Sequence, residues 1–200
     1  AAGQGAAAAE TLRRPSRQLP LILIVEVALA KPWESWGVRP STLIGHSMGE
    51  NAAACVAGVM SLEAAVGLVR LRGQLFDTVP AGGMLSVPLS AAALKPYLGD
   101  LDIASINAPE LTVVSGSDAG LKDLADRLKA DGIDTTRIAI DIAAHSKMLE
   151  PILADFRAHL AGMKLSPPQI PIISNRSGQV LTDSEATSPD YWVAHLRGTV

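Results

Sequence analysis

The chain has 200 residues, 48% of them apolar, 18% charged and only 4% aromatic, which suits one domain, or a core with a small inserted subdomain, and excludes a disordered chain. The net charge is -3 and no Lys/Arg cluster stands out, so the basic face that nucleic acid or an anionic membrane would need is missing. Cys55 is the single cysteine; it can form no internal disulfide, and the expected location is the reducing cytoplasm.

Residues 1–18 are rich in Ala, Gly and Arg without a clear period and read as an irregular lead-in. The most apolar run, Leu19 to Ala30, is broken by Pro20 and Glu26 and is too short to span a bilayer. No secretory signal pattern opens the chain. Pro20 is expected to open a helix over Leu21 to Trp36, ended by Gly37 and kinked at Pro32. Thr42 to Ile44 reads as a short buried strand, Gly45 to Gly49 as a tight turn, and Met48 to Gly58 as a helix of small residues. Ser61 is placed to cap the next helix, which runs to about Thr78.

After Pro80 to Gly83 the pattern changes. Strands are expected at Met84–Val87, Leu101–Asn107, Leu111–Ser115 and Thr136–Ile142, with helices at Ala91–Leu98 and Ala119–Lys129. That order, βαββαβ, is the ferredoxin-like arrangement. Ser146 then caps a helix to about Met163, Pro167 to Ser174 reads as a strand, and Pro189 to Leu196 as a closing helix. The domain reading is a core of residues 1–82 and 143–200 around a small subdomain at 83–142.

Gly45-His46-Ser47-Met48-Gly49 spells G-x-S-x-G between an expected strand and an expected helix. In that context the turn is a nucleophile elbow: closely passing backbones need glycine, the Ser47 hydroxyl is pushed outward, and the Met48 amide at the helix N-terminus is aimed at a developing oxyanion. His46, inside the elbow, reads as a packing or positioning residue. Arg70 and Arg72 point in different directions on the following helix. Around Arg72 the neighbours three and four residues away are Leu68, Val69, Leu75 and Phe76; around Arg70 they are Val66, Gly67, Gly73 and Gln74. A guanidinium in the apolar setting of Arg72 needs an anion, either an internal carboxylate or a substrate's.

Of the four histidines, His145 stands where a strand gives way to a helix, the best position for a base serving Ser47, against a purely structural role. No acidic third member can be chosen; Asp141 is nearest in sequence. No metal site is expected.

Four ordered motifs, G-H-S-x-G-E at 45–50, L-R-G at 71–73, A-A-H-S at 143–146 and Y-W-V-x-H-L-R at 191–197, together resemble the acyltransferase domain of modular polyketide synthases and the related malonyl-CoA:carrier-protein transacylases. The resemblance covers about Leu19 to the end. It implies a hydrolase-like α/β core with an inserted ferredoxin-like subdomain. It implies an acyl-serine at Ser47, His145 as general base and acid, and Arg72 on the free carboxylate of malonyl or methylmalonyl. The Met48 amide would be an oxyanion donor, and a backbone carbonyl at His195 would orient His145. Malonyl-CoA or methylmalonyl-CoA would be the acyl donor and the phosphopantetheine thiol of an acyl carrier protein the acceptor, with no cofactor bound by the domain itself and a ketosynthase as neighbour.

Two departures accompany the resemblance. The family's glutamine donor follows a first strand, whereas Gly3-Gln4-Gly5 follows none and lies too near Ser47; an N-terminally truncated, poorly active chain is the expectation. The segment before the base reads Ile142-Ala143-Ala144-His145, neither His-Ala-Phe-His nor Tyr-Ala-Ser-His. Met48 leans toward malonyl, while Ala144 leaves room for a methyl. The rival readings are a serine hydrolase or thioesterase of the α/β type, and a non-catalytic docking module.

Overall fold

The computed structural model describes residues 11–12 and 14–200. The chain divides into two compact units, one comprising the chain as far as Thr78 with Ala154–Val193, the other Val79–Leu153 with Ala194–Val200. The second unit contains the whole of residues 83–142 and adds residues on both sides of it, including the last seven of the chain.

In the first unit, helix α1 spans Pro15–Ser35 with Pro15 in its first turn and Pro20 and Pro32 inside it. It therefore starts five residues before Pro20, and residues 15–18, expected in the lead-in, are helical. Pro32 does not interrupt it: three further residues of helix follow the proline. Strand β1, Leu43–Ile44, pairs in parallel with β6, Ile172–Ile173. The expected buried strand is corrected here: among the described residues β1 has β6 as its single partner in the sheet, and Ile44 is 74% exposed. Helix α2, Gly49–Val56, buries Glu50 through Ala54. Helix α3, Leu62–Phe76, is capped by Ser61, whose hydroxyl accepts the Ala64 N–H at 3.1 Å. Its buried residues, Ala65, Leu68, Val69, Arg72, Gly73 and Phe76, follow the helical period of one apolar stripe. Gly73 is required: a Cβ there would lie 2.5 Å from the Pro15 carbonyl oxygen and Ser16 Cα, so α1 crosses α3 backbone to backbone.

The second unit carries β2 (Gly83–Val87), α4 (Ala91–Leu94), β3 (Asp102–Ala108), β4 (Leu111–Gly116), α5 (Asp118–Ala130) and β5 (Thr136–Ile138). The sheet order is β3-β4-β2-β5 with every pair antiparallel, the ferredoxin-like order expected from sequence. Leu85, Val87, Val114, Leu121, Leu124 and Leu128 make its core. The expected strand to Ile142 stops at Ile138, because β2 starts at Gly83 and its last partner for β5 is Met84. The helix expected from Ser146 begins instead as a 3₁₀ segment, Lys147–Ile152, and becomes α6 at Leu153–Ala161; Pro151 has no N–H to give an α-helical ladder. Helices α7 (Asp183–Ala186) and α8 (Pro189–Arg197) complete the chain. Beyond α8, Val200 exchanges backbone hydrogen bonds with Ala104 and Ile106 of β3. Among the described residues no helix is long and apolar enough to cross a membrane.

Candidate active site

The elbow is formed as its sequence demands. Ser47 has φ 52°, in the left-handed region that side chains avoid. Among the described residues the two non-glycine residues at positive φ are Ser47 and His145, the two positions the motifs single out. Strain of this kind persists where the surroundings enforce it, and it concentrates at reactive sites. The glycine requirement is sharper than the motif suggests. A Cβ at Gly45 would fall inside the backbone of Gly49, whereas one at Gly49 would meet nothing within 4 Å. Only Gly45 is therefore needed for the close passage.

Around the elbow the first unit collects Ser47, Met48, Asn51, Arg72 and Asn175. Met48 is buried, and His46 is exposed. The Ser47 N–H donates to Asn175 Oδ1. Arg72 is 4% exposed and Arg70 is exposed, as the α3 pattern implies. One Arg72 terminal nitrogen lies 3.4 Å from Ser47 Oγ and the other 3.4 Å from Asn51 Oδ1, both at the long limit of a hydrogen bond. Its Nε is buried and has no partner, and the guanidinium sits 5.3 Å from the Phe76 ring centre. Among the described residues no carboxylate comes within ion-pair distance of it. Burial alone lowers its pKa from the ordinary guanidinium range to about 10, the signature of a cation taken from water and given no counter-charge.

The second unit holds Ala144, His145 and His195. His145 is 2% exposed, and its Nδ1 lies 2.9 Å from the Gly198 carbonyl oxygen. A carbonyl only accepts, so Nδ1 carries the proton and neutral His145 keeps its lone pair on Nε2, the tautomer a base requires. The orienting carbonyl is thus Gly198, not His195. Gly198 follows the last residue of α8, where carbonyls have no intrahelical donor. The His195 ring instead stands edge-on to His145, 6.5 Å between centres. Ser146 fixes the backbone around His145: its hydroxyl donates to the Ala143 carbonyl at 2.6 Å and accepts the Met148 N–H at 3.2 Å. Ala144 is half-buried against Met84, Ala104 and Val113. Asp141 is exposed.

Sequence reasoning missed Asn51, Asn175 and Gly198 as members of these sites, and used Glu50 and Tyr191 only as letters of motifs. Glu50 is fully buried; Asn175 donates its N–H to it at 2.7 Å and Tyr191 its O–H. The usable signal was a glutamate one residue past a G-x-S-x-G, on the Ala-rich α2. Among the described residues no group of three or more His, Cys, Asp or Glu could hold a metal. Gly3-Gln4-Gly5 lies outside the described residues.

Residues 6–200 match the family described as the acyl transferase domain. The chain is 42% identical over 183 residues to mycoketide-CoA synthase of Mycobacterium tuberculosis, covering 90% of this chain and 4% of the synthase. It is also 42% identical over 184 residues to polyketide synthase GfsB of Streptomyces halstedii, covering 88% and 3%. Among solved structures, the acyltransferase domain from the second module of the salinomycin polyketide synthase superposes with TM-score 0.90 at 40% identity, over 96% of this chain and 46% of that one. FabD from Acinetobacter baumannii gives TM-score 0.90 at 27% identity, over 96% and 65%. The chain therefore spans a small part of the synthases and less than half of the salinomycin domain.

Proposed function

We propose, from the premise that this chain belongs to the acyl transferase domain family, that it moves a malonyl-type acyl group from coenzyme A to the phosphopantetheine thiol of an acyl carrier protein within a polyketide synthase. The observation that carries the reading is Arg72: a buried guanidinium without a carboxylate partner among the described residues, one nitrogen 3.4 Å from Ser47 Oγ. Among the described residues the internal ion pair that the sequence left open is not there, and a carboxylate on the acyl group would be the missing anion. A simple serine hydrolase has no use for this arrangement.

In the first half-reaction Ser47 Oγ attacks the thioester carbonyl carbon while His145 Nε2 takes the hydroxyl proton. The Met48 N–H supports the oxyanion. The C–S bond breaks, and the proton passes from His145 to the departing coenzyme A sulfur. In the second half-reaction the carrier thiol attacks the acyl-serine, its proton goes to His145, and the same proton returns to Ser47 Oγ as the ester C–O bond breaks. Oxidation states are unchanged, and no cofactor enters. Water must be excluded, or the ester would hydrolyse. Met48 favours malonyl and the small Ala144 admits a methyl, so malonyl with tolerated methylmalonyl is the expected selectivity; one methyl seldom discriminates beyond about 1–3 kcal/mol. The soluble cytoplasm, with a ketosynthase domain as neighbour, is the setting that fits the relatives.

Mass spectrometry of the full chain after incubation with malonyl-CoA tests the assignment. An adduct on the Ser47 peptide is expected, absent from Ser47→Ala and slowed on the order of 10²–10⁴-fold in His145→Ala. An adduct that persists in Ser47→Ala would refute it.

A further inference from the structure

The left-handed turn at Ser47 is held from a distance of well over a hundred residues. Strand β1 ends at Ile44 and its partner β6 ends at Ile173, so the backbone ladder stops just before the elbow. Two residues past the end of β6, the side chain of Asn175 takes over. Its Oδ1 accepts the Ser47 N–H and its Nδ2 donates to the Gly45 carbonyl. A carboxamide has the donor and acceptor of a peptide unit, and here it occupies the place where the next peptide of β6 would have paired.

Asn175 is itself fixed. Its backbone N–H donates to Glu50 Oε2 at 2.7 Å, while Glu50 Oε1 accepts the Tyr191 O–H. Tyr191 oxygen lies 2.7 Å from Ser174 Oγ, and Ser174 Oγ accepts the Arg176 N–H at 3.1 Å. Glu50, Ser174 and Tyr191 are all buried. The transfer chemistry uses none of these groups directly, yet a buried carboxylate and its satisfied network are costly to assemble unless they specify something.

We propose that Asn175 is the positioning residue of the elbow: its side-chain amide holds Ser47 at positive φ, and Glu50, with Tyr191 behind it, locks Asn175 in that pose. The Ser47 N–H is thereby committed to Asn175 and is withheld from the oxyanion, which leaves that role to Met48. The inference rests on the reading of Ser47 as the acyl-accepting serine.

The test measures the acylation of Ser47 in the full chain by malonyl-CoA and by a fluorophosphonate, which reports hydroxyl reactivity without an acyl substrate. Asn175→Ala should slow both on the order of 10²-fold, the cost of a nucleophile about 1 Å out of place. The half-saturating malonyl-CoA concentration should stay unchanged, since the Asn175 side chain is engaged with the elbow backbone at Gly45 and Ser47. Asn175→Asp, which keeps the shape and the acceptor but loses the donor to Gly45, should also be slow, and serves if the alanine variant fails to fold. Glu50→Gln should work nearly as fast as the wild type, because a carboxamide can accept from Asn175 and donate to Tyr191, whose hydroxyl then turns to Ser174; Glu50→Ala should match Asn175→Ala. Folded Asn175 variants that react at the wild-type rate, or that change only half-saturation, would overturn this inference alone. A wild-type chain that neither reagent labels at Ser47 would overturn the functional reading and this inference with it.

Discussion

Replacing Arg72 by methionine should make the chain more stable and less able to load malonyl, and both effects can be sized. Burial lowers the guanidinium from its ordinary range to about 10, so the charged form bears about 3 kcal/mol of desolvation in the folded chain. Its contact with Phe76 returns about 1 kcal/mol, and the 3.4 Å contacts to Ser47 and Asn51 return little. Methionine fills most of the same space without charge. The unliganded Arg72→Met chain should gain about 1–3 kcal/mol, a rise in melting temperature of several degrees at roughly 2–4 °C per kcal/mol for this size. Loading from malonyl-CoA should meanwhile fall on the order of 10²–10³-fold, because losing a desolvated charge partner costs about 3–5 kcal/mol. Acetyl-CoA, which lacks the carboxylate, should lose far less. Thermal melts paired with single-turnover loading of both thioesters read the two effects on one preparation. A lower melting temperature together with equal losses for malonyl and acetyl would show that Arg72 holds the fold rather than an anion.

Gly45→Ala should destabilise by more than about 3 kcal/mol in urea titration, since its Cβ has no room, while Gly49→Ala should lie within about 1 kcal/mol of the wild type; equal costs at the two positions would contradict the elbow geometry. Burial raises the Glu50 carboxyl above 4.5 despite the hydrogen bonds from Tyr191 and Asn175, so its folded value exceeds its unfolded one. Its contribution is then complete below 4.5 and is lost as pH rises through the raised value. The melting temperature of Glu50→Gln relative to the wild type should therefore climb over that window, and a flat difference would count against a raised value. On α1, Val25 and Leu29 are 55% and 62% exposed, close to Trp33 and Trp36 at 56% and 71%. Leu29→Lys should change stability by less than about 0.5 kcal/mol and reduce concentration-dependent association in sedimentation velocity, as expected when an exposed apolar patch is interrupted; a large destabilisation would show that this face is packed.

What the sequence determined by itself is what depends on neighbours along the chain. The glycine-flanked turn, the Ser61 cap and the choice of Arg72 over Arg70 each involve residues within about one helical turn or one tight bend, where spacing dictates direction. The ferredoxin-like order was legible for a related reason: four alternating strands with two helices between them leave few chirally allowed sheets. The acyl transferase motifs were legible as well, because they are local strings in a fixed order. Only the tertiary structure decided the partners that come from afar. Gly198, rather than His195, offers its carbonyl to His145, because a helix end, not a motif letter, leaves an oxygen unpaired. Strand β5 stops at Ile138 because β2 ends its pairing at Met84, a limit written in another strand. Arg72 has no carboxylate beside it among the described residues, a fact about what the fold packs around it. The amide that holds Ser47 in its strained turn belongs to Asn175, 128 residues away, and no period or spacing records such a contact, since a hydrogen bond depends on where the fold brings two groups and not on how far apart they stand in the chain.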